Sequence, residues 1–286
     1  MSCSRDCTID YDCSLNEIEE GHLTTPVNFS LDGKVAIVTG GSETIGRGIA
    51  LEYARNGAKV VVAARTPEKL DAIKQEIENE GGDCLTIPTN VRDSVQLENM
   101  VEKTIAHYGR IDVLVNNAGG AVAEDFKRAP LLDLTDQDIM GCLDLNVKSL
   151  IRASALVVPQ MQKQGGGTII NMGSMGGVGR GWGGWGPPHM TVYNITKAAV
   201  IYLSKAMATQ WAPLVRVNCI NPGFIDSPVI REGRTEEILD GIRMGIGVER
   251  FGTPQDVANA AVYLASDAAE WVNGTALDIY GGAKWG

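Results

Sequence analysis

Lys34-Val35-Ala36-Ile37-Val38-Thr39-Gly40-Gly41-Ser42-Glu43-Thr44-Ile45-Gly46 is the stretch that decides the fold of this 286-residue chain. Its first six residues form a short, largely apolar run, the pattern of a strand buried on both faces. Glycines follow, and then Ile49, Ala50, Tyr53 and Ala54 recur at helical spacing until Gly57. A strand that enters a helix through a glycine turn lets a diphosphate approach the backbone and rest on the helix N-terminus. As a bare pattern this is weakly specific, and its weight comes from what surrounds it.

Working outward, further strands are expected at 58 to 64, ending near Thr89, and at 111 to 115, 168 to 172, 215 to 220 and 275 to 279. Between them, Thr66-Pro67 opens a helix that closes at Gly81-Gly82. Asp93 and Gln96 have capping-box spacing for a helix to about Tyr108. One helix opens near Thr135 and a second carries Asn146 through Val158; others run from 193 to 211 and from Thr253-Pro254. Strands alternating with helices imply a parallel sheet covered on both faces, here one doubly wound α/β domain over residues 31–286.

Chemistry is suggested by Tyr193-Asn194-Ile195-Thr196-Lys197, where a spacing of four puts a phenol and an ammonium on one helix face. A tyrosine with its ordinary pKa near ~10 shuttles protons poorly at neutral pH, and a nearby cation favours the phenolate. Upstream, Gly165-Gly166-Gly167-Thr168-Ile169-Ile170-Asn171-Met172-Gly173-Ser174 reads as a turn, a buried strand and a strand end that delivers Ser174 to the rim of the sheet. Hydride transfer leaves charge on a carbonyl oxygen, so a positioned acid plus a second donor lowers that barrier.

Five landmarks stand in one order: Thr39-Gly40 to Gly46, Asn116-Asn117-Ala118-Gly119, Asn146, Ser174 with Tyr193-x-x-x-Lys197, and Asn221-Pro222-Gly223. From Leu31 to its C-terminus the chain thereby resembles the short-chain dehydrogenase/reductase family, with its Rossmann-like fold. The resemblance implies that Tyr193 exchanges a proton with the substrate oxygen and that Ser174 hydrogen-bonds the same oxygen. It implies that Lys197 lowers the Tyr193 pKa and holds the nicotinamide ribose, and that Asn146 holds a water linking the lysine to solvent. Gly40, Ser42, Ile45, Gly46, Val91, Asn117, Ala118, Gly119, Pro222, Gly223, Ile225 and Ser227 fall at cofactor-binding positions, while Asn116 stabilises the sheet. Two positions depart from the family pattern: Thr44 replaces the middle glycine of the turn, and Asn90 stands where an aspartate usually contacts adenine.

Cofactor choice depends on the end of the second strand. An acid there would bond the ribose 2′-hydroxyl of NAD, but Ala64 and Arg65 suit the 2′-phosphate of NADP, so NADP(H) is expected over NAD(H). Glu43 in the turn argues the other way, because an acid repels that phosphate. Between Ser174 and Tyr193, residues 175 to 192 hold seven glycines with Trp182 and Trp185, and this segment is expected to wall the substrate pocket; a subunit contact is the other reading.

The formal charge is −10, and half of it comes from residues 1–30, an acidic extension that also holds Cys3, Cys7 and Cys13. There is no basic stripe for nucleic acid, no apolar run of the ~18 residues that span a bilayer and no secretory leader, so a cytoplasmic protein is expected. The six cysteines fit no zinc template, and no metal is expected. The expected activity is that of an NADP-dependent carbonyl reductase or secondary-alcohol dehydrogenase, acting on a small to medium, fairly apolar substrate. A homodimer or homotetramer is implied by the resemblance, with Leu150, Ile151, Ala155 and Val158 compatible with helix packing. The alternatives are an NAD-dependent enzyme of the same kind, an enoyl-thioester reductase, whose Tyr–Lys spacing is wider, and a non-catalytic nucleotide-sensing regulator.

Overall fold

The computed structural model describes residues 28–179, 187–282 and 284. The apolar runs become strands β1 (Val35–Thr39), β2 (Lys59–Ala64), β3 (Asp83–Pro88), β4 (Val113–Asn116), β5 (Gly167–Met172), β6 (Val215–Pro222) and β7 (Ala276–Ile279). They pair in parallel as one seven-stranded sheet of order β3-β2-β1-β4-β5-β6-β7. The helices between them are α1 (Thr44–Arg55), α2 (Pro67–Asn79), α3 (Ser94–Tyr108), α4 (Asp136–Leu143), α5 (Ser149–Lys163), α6 (Thr191–Trp211), α7 (Pro228–Arg231), α8 (Glu236–Met244) and α9 (Pro254–Ala265).

Strand side chains alternate between two cores, which is why the runs are apolar throughout rather than at every second residue. Ala36, Val38, Val60 and Val62 pack with α1, α2 and α9. Val35, Ile37, Val61 and Ala63 pack with α3, α5 and α6. Each fully buried Val or Ile is worth roughly 1.5–3 kcal/mol, so both faces hold the sheet.

The strand order reverses between β1 and β4, and the C-terminal ends of these parallel neighbours form the crevice where open α/β sheets take ligands. One side chain ties the crevice together. The Thr39 hydroxyl accepts from the amides of Asn117 and Ala118, each at 3.1 Å, and donates to the Val115 carbonyl at 3.2 Å. The Asn117 side-chain nitrogen donates in turn to the carbonyls of Thr39 and Gly40 at 3.0 and 3.1 Å.

Three local readings change. The two helices expected near Thr135 and Asn146 are one helical run, because Asp144–Lys148 forms a π-helical turn between α4 and α5 with helical backbone at both junctions. Thr66 stands at the N-terminus of α2 without a side-chain cap bond. Asp93 caps α3 by accepting from the amides of Val95 and Gln96, but the Gln96 side-chain oxygen accepts from the Asn90 backbone amide instead of closing a capping box. Full boxes occur at Thr135 with Asp138 and at Thr253 with Asp256. Helices α7 and α8 were not expected from the sequence; they follow β6, and α7 borders the crevice through Val229 and Ile230.

Candidate active site

A cleft of about 750 Å³ opens at the C-terminal edge of the sheet, lined by Gly40, Arg65, Asn117, Ser174, Tyr193 and Lys197 among others. β5 delivers Ser174 just beyond its end, and α6 presents Tyr193 and Lys197 on successive turns. The Lys197 ammonium is buried, donates to the Met172 carbonyl at 2.7 Å and lies 5.7 Å from the centre of the Tyr193 ring. Burial pushes the lysine down to about 8. It also pushes the Tyr193 phenol up to about 12, with the Ser174 hydroxyl, its hydrogen-bond partner, working in the opposite direction. In this arrangement burial therefore outweighs the lowering expected from Lys197, whose ammonium is directed at a carbonyl.

The Ser174 oxygen accepts from the Gly176 amide at 3.2 Å, which orients the hydroxyl and leaves its proton to donate. Asn146 sits in the π turn. Its amide oxygen accepts from the Gly120 amide at 3.0 Å, and its nitrogen donates to the carbonyls of Gly120 and Cys142 at 2.8 and 2.9 Å. The wide turn thus aims Asn146 at the backbone after β4. Gly119 lies between it and the lysine, where an added Cβ would come within 2.7 Å of the Asn146 oxygen and 3.3 Å of the Lys197 nitrogen.

The other half of the cleft fits a dinucleotide. Gly40 adopts φ +63°, and a Cβ at Gly46 would stand 2.1 Å from the Gly40 carbonyl oxygen, so only glycine lets the turn close before α1. Ser42, Thr44 and Ile45 line the turn, Thr44 with φ +44°, uncommon for a β-branched residue. Asn90 and Val91 line the cleft beyond β3, and one lone pair of the Asn90 side-chain oxygen is taken by the Arg92 amide at 3.1 Å. Pro222, Gly223, Ile225 and Ser227 line it after β6. Asn116 is buried and donates to Ser154 and Asn171, a structural role. Trp182 and Trp185, expected to wall the substrate pocket, lie outside the described residues.

Sequence reasoning missed three features. Thr39 was read only as the end of a strand. Glu43, expected to repel a 2′-phosphate, is ion-paired with Lys69 at 2.7 Å. Arg92 grips Asp125 with two bonds of 2.8 Å and Asp144 with one of 3.0 Å, fixing the segment after β4 to the π turn. None of these partners is near in sequence, and only the sheet order brings them together.

The family model described as short chain dehydrogenase matches residues 34–238. The 3-oxoacyl-[acyl-carrier-protein] reductase of Thermotoga maritima is 37% identical over 256 residues, 88% of this chain and 98% of that protein. The 7alpha-hydroxysteroid dehydrogenase of Escherichia coli is 36% identical over 256 residues, 89% of this chain and 96% of that protein. The solved structure of a 7 alpha-hydroxysteroid dehydrogenase complexed with NADH and 7-oxo glycochenodeoxycholic acid is 35% identical. It superposes with a TM-score of 0.84 over 92% of this chain and 98% of the other. With the sheet order, the glycine turn and the Ser174, Tyr193 and Lys197 cluster in place, the chain belongs to the short-chain dehydrogenase/reductase family, NAD(P)-dependent oxidoreductases that act on CH–OH and C=O groups.

Proposed function

We propose that this protein reduces a ketone, or oxidises the corresponding secondary alcohol, with NADP(H), on a small to medium, fairly apolar substrate. The observation that carries the reading is the convergence of the Ser174 hydroxyl, the Tyr193 phenol and the Lys197 ammonium at one wall of the cleft. When bound, the nicotinamide supplies or accepts the hydride. Tyr193 holds the proton that the substrate oxygen takes up in reduction, and Ser174 donates a second hydrogen bond to that oxygen. Lys197 holds the nicotinamide ribose, and its charge stabilises the phenolate left behind. Asn146, through Gly119 and Gly120, positions the backbone against which the cofactor lies.

Two observations support NADP(H). Arg65, at the end of β2, is exposed and has no carboxylate partner among the described residues. Glu43 is offset by Lys69. NAD(H) is the second reading, favoured by the NADH in the related solved structure. Residues 31–286 form the catalytic domain in this reading, with Leu31 fully buried and its amide bonded to the Asn56 carbonyl at 2.7 Å, and 1–30 are an acidic extension. No helix among the described residues is long and apolar enough to cross a membrane, which is compatible with a cytoplasmic enzyme. Leu150 and Val158 are spent on the core, whereas Ile151 and Ala155 face outward from α5 and suit a homodimer or homotetramer contact.

The test is a screen of ketones and secondary alcohols with both cofactors, followed by Tyr193→Phe on the best substrate. Removing only the hydroxyl should lower turnover by about 10²-fold or more while cofactor binding persists. Near-normal turnover in a folded variant would sink the assignment.

A further inference from the structure

Of the twelve arginines described, eight hold a carboxylate: Arg47, Arg55, Arg92, Arg110, Arg152, Arg231, Arg243 and Arg250. Arg216 is committed to the carbonyls of Leu264, Ser266 and Val272. The remaining three, Arg65, Arg128 and Arg234, all line the cleft. Among the described arginines, those with neither a carboxylate nor a full set of carbonyls are the exception, and they gather around one opening. Arg65 belongs to the β2 end. β6, from which the Arg234 loop follows, lies four strands away, about 19 Å at the usual spacing of ~4.8 Å, so one 2′-phosphate does not account for both.

Arg128 follows β4 and Arg234 follows β6, the two strands that flank β5 and its Ser174. Arg234 lies between α7 and α8 and donates to the carbonyls of Val229 and Ile230 through one nitrogen, leaving the rest of its fork unpaired. Arg128 follows a segment pinned twice, by Asp125 to Arg92 and by the Lys127 amide to Asp138 at the start of α4. α4 packs on α6, which carries Tyr193 in its first turn. The backbone of Arg128 is therefore fixed while its exposed guanidinium makes no hydrogen bond or ion pair among the described residues. Glu124 shares this rim and pairs with neither arginine. The same lining includes Val122, Phe224 and Val229, with Val122 and Val229 53% and 67% exposed.

We propose that Arg128 and Arg234 receive a carboxylate on the substrate, carried by an apolar body at a distance from the reacting carbon. This rests on the ketone-reductase reading and sharpens it, since a neutral apolar ketone would leave both guanidiniums without a counter-charge. The pinned backbone keeps the ordering cost of such a receptor low.

The experiment uses the full chain, NADPH, and methyl ketones of six to ten carbons that end in a carboxylate, each paired with its methyl ester. Wild-type kcat/KM should favour the acid over the ester by about 5- to 20-fold at the best length, the range for charge-assisted bonds at a solvent-accessible site. Arg128→Gln and Arg234→Gln should each remove most of that preference, changing the ester far less than the acid and sparing the NADPH Kd. Equal kcat/KM for acid and ester at every length overturns the proposal. So do variants that weaken NADPH binding and affect acid and ester alike, which would assign the arginines to the cofactor diphosphate. If no ketone is reduced, the function reading fails and a binding arm still decides: calorimetric titration of octanoate should show binding that Arg128→Gln abolishes, and no binding to wild type overturns the receptor.

Discussion

Thr44→Gly should make this protein more stable. Thr44 holds φ +44°, where a residue with a Cβ costs about 1–2 kcal/mol and a β-branched one lies at the upper end. Its side chain is exposed and makes no hydrogen bond among the described residues, so truncation removes no packing and no polar contact. Against the relieved strain stands the extra freedom glycine gives the unfolded chain, about 0.5–1 kcal/mol. The difference favours the folded state by about 0.5–1 kcal/mol, a rise in Tm of roughly 1–4 °C for a domain of this size. Thr44→Ala keeps a Cβ at the same φ and should recover less than half of that gain. Scanning calorimetry of the three proteins, without cofactor and at one concentration, reads the effect. A lower Tm for the glycine variant, or equal Tm values for alanine and glycine, would refute the strain argument.

The pH profile should report Lys197. Its pKa lies at about 8, below its ordinary 10.5, so the folded enzyme loses this proton first; the cation is present below pH 8 and absent well above it. Tyr193 keeps its proton to about 12 and does not limit reduction in that range. For reduction, kcat/KM for the cofactor, which reports the free enzyme, should be level below pH 8 and fall about tenfold per unit above it, and a level profile to pH 10 would remove Lys197 from its proposed role. For this lysine alone, stability should rise with pH between about 8 and 10.5, because the unfolded chain there binds the proton that the folded one has released. Arg65→Ala should weaken NADP binding by about 10- to 150-fold and barely affect NAD, as measured by fluorescence titration; equal losses would count against a 2′-phosphate contact.

The sequence made the sheet legible because the strands carry their own signal: Val35 to Val38 and Val60 to Ala64 are apolar at successive positions, as burial on both faces requires. Ser174, Tyr193 and Lys197 were legible through spacing and order. The break expected between Thr135 and Asn146 failed for a physical reason. A π turn keeps helical backbone at every residue, so it needs neither a cap nor a breaker and leaves only a drift in the buried positions, from Cys142 to Asn146 to Leu150 in steps of four. Helix α8 was missed although Thr235 with Glu236 and Glu237 carries a start signal, Thr235 accepting from the Ile238 amide. The Glu43–Lys69 and Arg92–Asp125–Asp144 pairings join segments far apart in the chain, and no local pattern announces them.

The π turn at Asp144–Lys148 also makes the helical run from 136 to 163 sensitive to its own length. An α-helix advances about 100° per residue, so the turn stores one residue of phase between its two halves. Substitutions on its outer side leave that phase alone. A one-residue deletion anywhere between Gly141 and Ser149 would let the run relax to an ordinary α-helix, and it could then keep Ala153 and Val157 in the core or Asn146 on Gly120, but not both. On its outer side this stretch of chain is therefore free in spelling, but throughout it is fixed in count.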